Sequence, residues 1–284
     1  MYIPSKTSIV IPSYFRQIDL SELFDSILMQ TITPVEVIVV DDTPNDSIKI
    51  VCEGYELKFK KINTDLKYIR NPKERGITIA RNVGVEIALG DIIIFLDSDT
   101  IFHQKYIEKI LEVFNDNSNA LGVQGWIINH AEYNKINYLM KIFAKIFYLH
   151  YNTKNSCNFM EYPIILSNII NCTWLSGSNM AYKKDVFNEF RFDEKLKGYA
   201  TGEDKLFSHS IFQKHPNSLF ITPHAKIIHK VSEEGRLENK ELIKLSNNCL
   251  KYVLRKLFGF KGLLRYHRQS IGRSIIRIIN RYLF

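Results

Sequence analysis

Residues 91–99 read DIIIFLDSD, and this stretch decides the fold prediction. Five apolar residues run directly into an Asp-x-Asp pair, and VEVIVVDD at residues 35–42 likewise ends an apolar run in carboxylates. Short continuous apolar runs are typical of strands buried on both faces of a parallel sheet. A helical pattern at residues 77–89 lies between the two runs. The sequence therefore predicts an α/β protein, a Rossmann-like mostly parallel sheet flanked by helices.

The rest of the chain extends this alternation. Further strands are predicted at residues 8–12, 67–70, 121–128, 178–183 and 226–230, and further helices at residues 20–29, 104–115, 136–151 and 203–213. The amphipathic pattern at 136–151 favours a helix packed on the sheet, with a membrane or acceptor surface as the alternative. At 284 residues the chain can bury one large core. We predict one domain at residues 1–235 and a helical basic tail at residues 236–284.

Composition narrows the class of protein. Hydrophobic residues make up 45% of the chain, as in folded globular proteins. The four cysteines have no CxxC spacing, which argues against a zinc site and a disulfide framework and favours a reducing compartment. We expect neither a signal peptide nor a membrane-spanning helix, and hence a cytoplasmic protein.

The positive charge lies in the tail. Residues 250–284 hold nine Lys or Arg and no acidic residue, so the net charge of +8 leaves −1 for residues 1–249. A near-neutral body argues against a nucleic-acid partner. The last stretch places Ile271, Ile275, Ile278, Ile279 and Tyr282 on one helix face and Arg273, Arg277 and Arg281 on another. This pattern indicates a helix on an anionic membrane surface, with packing on the body or on another subunit as the alternative.

Two acidic clusters follow apolar strands, at Asp41-Asp42 and at Asp97-Ser98-Asp99. In open parallel sheets, ligands bind beyond the carboxyl ends of the strands, so these carboxylates are expected to meet in one crevice. Two hard oxygen donors suit Mg²⁺ or Mn²⁺ bound with a diphosphate. The alternative is a strand-end pair that serves as a turn or helix cap.

Six blocks carry a resemblance to a known family. They are SIVIPSYFR, VEVIVVDDTPND, GITIARNVG, FLDSD, TWLSGSNMAYKK and GYATGEDKLF. In this order they resemble the family 2 glycosyltransferases, which have the GT-A fold, and the resemblance covers about residues 6–230. It implies that a nucleotide-diphosphate sugar is the donor.

The resemblance implies a role for particular residues on the donor side. The residues implied to bind the nucleotide sugar are Pro12, Ser13, Tyr14, Asp42, Arg81 and Asp97. Ordinary turn chemistry is the alternative for Ser13 and Tyr14, and a surface salt bridge is the alternative for Arg81. Asp97, Asp99 and His229 are implied to hold Mn²⁺ or Mg²⁺, and His224 is the rival of His229.

On the acceptor side, Asp204 is implied to be the general base. A position at the start of a helix favours an ionised carboxylate there, although simple capping is the alternative. The other residues implied to lie near the acceptor are Trp174, Gly177, Ser178, Asn179 and Glu203.

Together these features predict an inverting, metal-dependent transferase that adds one sugar per encounter, since the QxxRW motif of polymer-building members is absent. UDP is the favoured nucleotide, with dTDP and GDP open. The expected acceptor is a glycan or a polyprenyl-linked glycan of a cell-surface polysaccharide, reached at the inner face of the cell membrane. The alternatives are a sugar nucleotidyltransferase and a non-catalytic membrane-associated protein on a transferase-like fold.

Overall fold

The computed structural model describes residues 6–129, 138–234 and 239–283. The strands are β1 (Thr7–Ser13), β2 (Glu36–Asp41), β3 (Asp65–Arg70), β4 (Ile92–Leu96), β5 (Thr100–Phe102), β6 (Gly122–Ile127), β7 (Tyr151–Lys154), β8 (Glu161–Ile165), β9 (Ile170–Asn171), β10 (Asn179–Lys183) and β11 (Leu219–His229). The helices are α1 (Gln17–Leu28), α2 (Ser47–Lys61), α3 (Ile77–Ile87), α4 (Tyr106–Asp116), α5 (Tyr138–Ile146), α6 (Glu203–Lys214) and α7 (Asn239–Leu283), with a 3₁₀ helix at Lys184–Asn188.

A single large sheet forms the centre of the described chain, in the order β3-β2-β1-β4-β10-β6-β11-β5, with β9 paired to β11. Strands β3, β2, β1, β4, β6 and β11 run in one direction, and β10, β5 and β9 run against them. The predicted mostly parallel α/β sheet is confirmed. Since β1, β2 and β4 are neighbours or nearly so, their carboxyl ends meet at one edge of the sheet.

The central strands are buried on both faces, as their continuous apolar runs predict. The β4 residues from Ile92 to Leu96 are at most 3% exposed. Helix α3 packs against β1 and β2, and α4 packs against β6 and β11. The approach of α3 is close: a Cβ on Gly84 would lie 2.3 Å from Val10 Cγ1, so only glycine fits there.

Helix α2 was not predicted from the sequence. Its buried residues are Ile48, Cys52 and Phe59, and Tyr55 packs beside them. These positions follow the i, i+4, i+7, i+11 spacing of one helix face, so the sequence did contain the pattern of an amphipathic helix. The many charged residues between them conceal the pattern, because the mean hydropathy of the segment is low.

The predicted helix at residues 136–151 is wrong in its extent. Helix α5 ends at Ile146, and Tyr151 begins strand β7. Tyr148 has φ 52°, a left-handed conformation that a helix cannot continue through. Residues 136 and 137 lie outside the described residues.

The tail helix α7 is packed on the body over its first part. Cys249, Val253 and the body residues Leu196 and Leu206 form one buried cluster. The helix is broken at Gly259, which has φ 57° and ψ −133°, so the chain changes direction there. The predicted boundary between residues 235 and 236 lies outside the described residues. Among the helices of the described part, none is long and apolar enough to cross a bilayer.

Candidate active site

A cavity of about 300 Å³ lies at the carboxyl edge of β1, β2 and β4. The loop after each of these strands, the start of α6 and the end of β11 contribute to its walls. Of the site residues predicted from the sequence, those that line it are Pro12, Ser13, Tyr14, Asp42, Arg81, Asp97, Asp99, Gly177, Ser178, Glu203, Asp204 and His229. Strand topology thus brings together residues that lie more than 200 positions apart in the chain.

Asp97, Asp99 and His229 form one cluster in this cavity. Potential ligand atoms of the three side chains all lie within 4.8 Å of one another. His229 Nε2 is 3.3 Å from Asp99 Oδ1 and 4.0 Å from Asp97 Oδ2. The cause is the antiparallel pairing of β11 with β5, which sets His229 opposite Thr100, the residue next to Asp99. The rival His224 is exposed and does not line the cavity.

Two carboxylates and an imidazole are a donor set that suits Mn²⁺ or Mg²⁺. Asp99 is held rigidly, since Arg16 Nη1 lies 3.1 Å from its Oδ2 and the Ser232 amide donates to the same oxygen at 3.0 Å. Burial alone would raise the pKa of Asp99, but His229, Arg16 and the Ser232 amide together lower it. The carboxylate is therefore ionised at neutral pH. The chemistry of the three side chains fits a divalent cation.

Asp204 lies in the first turn of α6, after Gly202, which adopts φ 85°. The Gly177 amide donates to Asp204 Oδ2 at 2.9 Å, and the Lys205 amide donates to Oδ1 at 2.8 Å. Burial raises the pKa of Asp204, while these two amide hydrogen bonds oppose the shift. A carboxylate that is fixed in position and has a raised pKa is suited to accept a proton.

Arg81 is a buried residue and not the surface salt bridge considered from the sequence. Its Nη1 lies 2.5 Å from Glu203 Oε1 and its Nη2 lies 3.5 Å from Asp97 Oδ1. Nη2 also donates to the Gly177 carbonyl at 3.0 Å. Burial raises the pKa of Glu203, although Arg81 opposes the shift. Arg81 thus links Asp97 of the Asp97–Asp99–His229 cluster to Glu203 of α6, and its direct contact with a phosphate stays a prediction.

Asp42 and Tyr14 face the cavity from the loops after β2 and β1. Asn71 Nδ2 donates to Asp42 Oδ1 at 2.6 Å and the Gly76 amide donates to Oδ2 at 3.0 Å. Burial raises the pKa of Asp42 in spite of these hydrogen bonds. The guanidinium of Arg75 covers the Tyr14 ring, 3.6 Å from its centre. This corner therefore offers a fixed carboxylate and an aromatic ring, partly covered by a cation.

A second cavity of about 320 Å³ adjoins the first. The residues that line both cavities are Ser176, Thr201, Gly202 and Asp204, so the two cavities meet at Asp204. Trp174, predicted to lie near the acceptor, lines this second cavity and donates its Nε1 hydrogen to the Asn158 carbonyl at 2.9 Å.

Asn179 lines neither cavity, contrary to the sequence prediction. It is fully buried on β10, and its Oδ1 lies 3.3 Å from the Tyr106 hydroxyl. Successive residues of a strand point to opposite faces, so Asn179 points away from the cavity that Ser178 lines.

The comparison with protein families agrees with this geometry. The model of glycosyl transferase family 2 matches residues 8–191, well over half of the chain. The chain belongs to glycosyl transferase family 2. The matched region holds the residues predicted to bind the nucleotide sugar, together with Asp99. His229 lies beyond it.

Curated relatives match different shares of the family 2 chain. Glucosyl-dolichyl phosphate glucuronosyltransferase of Haloferax volcanii is 25% identical over 80% of this chain and 70% of its own length. Minor teichoic acid biosynthesis protein GgaB of Bacillus subtilis is 28% identical over 80% of this chain and 23% of its own. An uncharacterized glycosyltransferase of Haemophilus influenzae is 35% identical over 39% of this chain and 35% of its own. The chain spans about a third or less of the latter two proteins.

Solved structures share the fold. GalNAc-T7 with UDP, GalNAc and Mn²⁺ has a TM-score of 0.63 at 16% identity, over 87% of this chain and 48% of its own. The mannosyltransferase PcManGT of Pyrobaculum calidifontis, with GDP-Man and Mn²⁺, has a TM-score of 0.61 at 14% identity, over 98% and 76%. TarS of S. aureus has a TM-score of 0.57 at 20% identity, over 88% and 39%. The predicted GT-A fold is confirmed.

Two cations of the family 2 site were missed from the sequence, Arg16 and Arg75. Arg16 is the last residue of the SIVIPSYFR block, and Arg75 directly precedes the GITIARNVG block. The sequence could have indicated both arginines, because each lies within or next to a block that resembles the family. Their partners Asp99 and Tyr14 are 83 and 61 residues away in the chain, so the contacts depend on the fold.

Proposed function

We propose that this chain is an inverting, metal-dependent glycosyltransferase that moves one sugar from a nucleotide-diphosphate donor to an acceptor hydroxyl. The observation that carries the proposal is the place of Asp204, which borders the cavity with the Asp97–Asp99–His229 cluster and also the second cavity. We assign the first cavity to the donor and the second to the acceptor. Because Asp204 lies between the two cavities, it can contact an acceptor in the second cavity while the donor occupies the first.

The proposed reaction is a single displacement at the anomeric carbon of the donor sugar. Asp204 accepts the proton of the acceptor hydroxyl as its oxygen bonds to that carbon, and the bond from the carbon to the diphosphate oxygen breaks. The nucleoside diphosphate leaves from the opposite face, so the configuration inverts. The amides of Gly177 and Lys205 hold the Asp204 carboxylate in place for this step.

Asp97, Asp99 and His229 are the residues proposed to hold Mn²⁺ or Mg²⁺ in the donor cavity. A divalent cation bound there neutralises charge on a diphosphate leaving group. Pro12, Ser13, Tyr14 and Asp42 are proposed to seat the base and ribose. Support comes from two fold neighbours, described with UDP and Mn²⁺ and with GDP-Man and Mn²⁺. We favour a UDP sugar, because TarS is described in complex with UDP-GlcNAc.

The donor assignment is tested by thermal shift with UDP, dTDP and GDP sugars, each with and without Mn²⁺. A ligand that binds the folded state alone raises the melting temperature. We expect one nucleotide class to raise it, only with Mn²⁺, and Asp99→Asn to remove the effect. Asp116→Asn, which removes an exposed carboxylate of α4, is the matched control. The absence of any shift with all three nucleotides would contradict the proposal.

We also propose that the acceptor belongs to a cell-surface polysaccharide and that the protein docks on the inner face of the cell membrane. The teichoic acid and dolichyl phosphate proteins among its relatives support this kind of acceptor. Ile271 and Ile278 on the second part of α7 are 54% and 56% exposed, and Arg277 is exposed beside them. An exposed apolar face flanked by cations suits an anionic lipid surface. The side chains of Arg281 and Tyr282 lie outside the described part of the chain.

A further inference from the structure

The second cavity is strongly cationic. Lys205, Arg265 and Arg273 line it, and Asp204 is the one carboxylate among its described lining residues. With Asp204 ionised, the two arginines leave one positive charge in excess, and Lys205 adds a second when it is protonated. Neither arginine has a carboxylate within ion-pair distance in the described part of the chain: Arg273 donates to Asn247 Oδ1 at 3.0 Å, and the Arg265 guanidinium lies 4.0 Å from the centre of the Phe258 ring. Cations in a cavity without counter-charges are expected to meet an anion of the ligand.

The two arginines belong to a row on one face of α7. Arg265, Gln269 and Arg273 are spaced at i, i+4 and i+8, so their side chains lie one above another. The break at Gly259 turns this part of the helix so that the row lines the cavity. From the sequence alone, Arg273 was placed on the basic face of a helix expected on an anionic membrane surface, with packing on the body or on another subunit as the alternative. The structure places it in the wall of the cavity that ends at Asp204.

Gln269 supplies an independent sign of a ligand. It is only 4% exposed, and its Oε1 atom has no hydrogen-bond donor in the described structure. A buried acceptor left without a donor destabilises the folded protein, so a ligand hydroxyl that donates to it is expected. Aromatic rings of Tyr148, Phe159 and Trp174 also line the cavity. These rings offer flat surfaces of the kind against which a sugar ring can stack.

A phosphate monoester matches the positive charges that line the second cavity better than a carboxylate does. A phosphate monoester carries about −1.5 to −2 charges at neutral pH. It therefore offsets the charge left by the two arginines and also that of a protonated Lys205, whereas a carboxylate carries one charge. The fork of a guanidinium fits phosphate oxygens. Burial lowers the pKa of Lys205 well below its ordinary value, and a bound anion would favour its charged form.

Resting on the proposed function, we propose that the acceptor is a phosphate ester of a sugar or polyol. Its phosphate lies against Arg265 and Arg273, a hydroxyl donates to Gln269, and the hydroxyl to be glycosylated points to Asp204. A water-soluble polyol or sugar phosphate is such a monoester. A lipid-linked glycosyl phosphate is a diester, which carries one charge and offers its free phosphate oxygens to the same two arginines.

The test uses glucose 1-phosphate as the probe and glucose as its uncharged counterpart. Both are titrated by calorimetry into the full chain, saturated with UDP and Mn²⁺ so that the donor cavity is filled. We expect glucose 1-phosphate to bind at least about tenfold more tightly than glucose. The double variant Arg265→Gln/Arg273→Gln is expected to lose this preference.

The matched control is Arg255→Gln/Lys261→Gln, which removes two exposed charges of the same helix outside the cavity. It is expected to keep the preference. Equal binding of glucose and glucose 1-phosphate, or a preference that survives in the double variant, would overturn the inference. If UDP and Mn²⁺ bind but the phosphate probe does not, the acceptor inference fails alone. If UDP and Mn²⁺ do not bind either, the proposed function fails with it.

A second arm distinguishes the two sources of phosphate. Phosphatidylcholine vesicles with and without a short glucosyl polyprenyl phosphate are floated with the wild type and with the double variant. Retention that needs both the lipid phosphate and the two arginines supports a lipid-linked acceptor. Tight binding of glucose 1-phosphate without such retention supports a water-soluble acceptor of the same chemistry.

Discussion

Asp204 is held by two backbone amides and borders both cavities, so its replacement should separate transfer from donor binding. Asp204→Asn keeps the shape of the side chain but cannot accept a proton. We expect transfer to fall at least about 10³-fold, in the range typical of a lost general base, while the Kd for the sugar nucleotide changes by less than about twofold. Initial rates and calorimetry measure the two quantities.

Asp185→Asn is the matched control for that variant. It makes the same chemical change at an exposed residue of the 3₁₀ helix, outside both cavities. It is expected to keep wild-type rates. Transfer by Asp204→Asn at near wild-type rate would show that another group is the base.

The raised pKa of Asp204 predicts how kcat falls on the acid side of its pH profile. Only the ionised carboxylate can accept a proton, so kcat falls as the pH drops through the Asp204 pKa. Burial raises that pKa, so the fall should begin at a higher pH than for an ordinary aspartate with a pKa of about 3.9. The measurement is kcat against pH, with donor and Mn²⁺ kept saturating at each pH. A profile that stays flat down to pH 4 would contradict the role of Asp204.

Among the elements, the turn before β10 is closely surrounded by side chains of the site. A Cβ on Gly177 would lie 2.8 Å from Arg81 Nη2 and 3.2 Å from Glu203 Oε1. Gly177→Ala is therefore expected to push this turn away from the buried pair and from Asp204. We expect the free energy of unfolding to fall by about 1–3 kcal/mol, as for other overpacked sites, and transfer to fall with it.

Gly54→Ala is the control for this prediction, because nothing lies within 4 Å of a Cβ built at that position of α2. It should raise the stability by up to about 1 kcal/mol, since alanine favours a helix more than glycine does. Urea unfolding measures both variants. A Gly177→Ala protein as stable as Gly54→Ala would mean that the turn adapts without cost.

For the whole molecule, the structure changes how membrane docking must be tested. Removal of the tail would also remove Cys249 and Val253 from a buried cluster, so a truncated protein would be damaged whether or not the tail binds lipid. Substitution of exposed residues avoids this. We expect Ile271→Ser/Ile278→Ser to reduce flotation with anionic vesicles several-fold while the melting temperature stays within a few degrees.

The matched control for docking is Ile50→Ser/Leu57→Ser, which removes two exposed apolar residues of α2. It should float like the wild type. Added salt should weaken the flotation of the wild type and of this control variant, since the basic residues of the tail contribute electrostatically. Equal flotation of the two double variants would exclude Ile271 and Ile278 from the docking face.

The sequence by itself determined the sheet and most of the donor side. Apolar runs such as Ile92–Leu96 have one stable solution, a strand covered on both faces, and strands in parallel order carry the loops that follow them to one edge. Asp42, Asp97 and Asp99 could therefore be assigned to one crevice before any coordinates. Only the tertiary structure decided the pairing of Arg81 with Glu203, the burial of Asn179 against Tyr106 and the second cavity. These depend on side-chain direction and on how a helix that follows Gly259 packs back on the body, which no local pattern in the chain specifies.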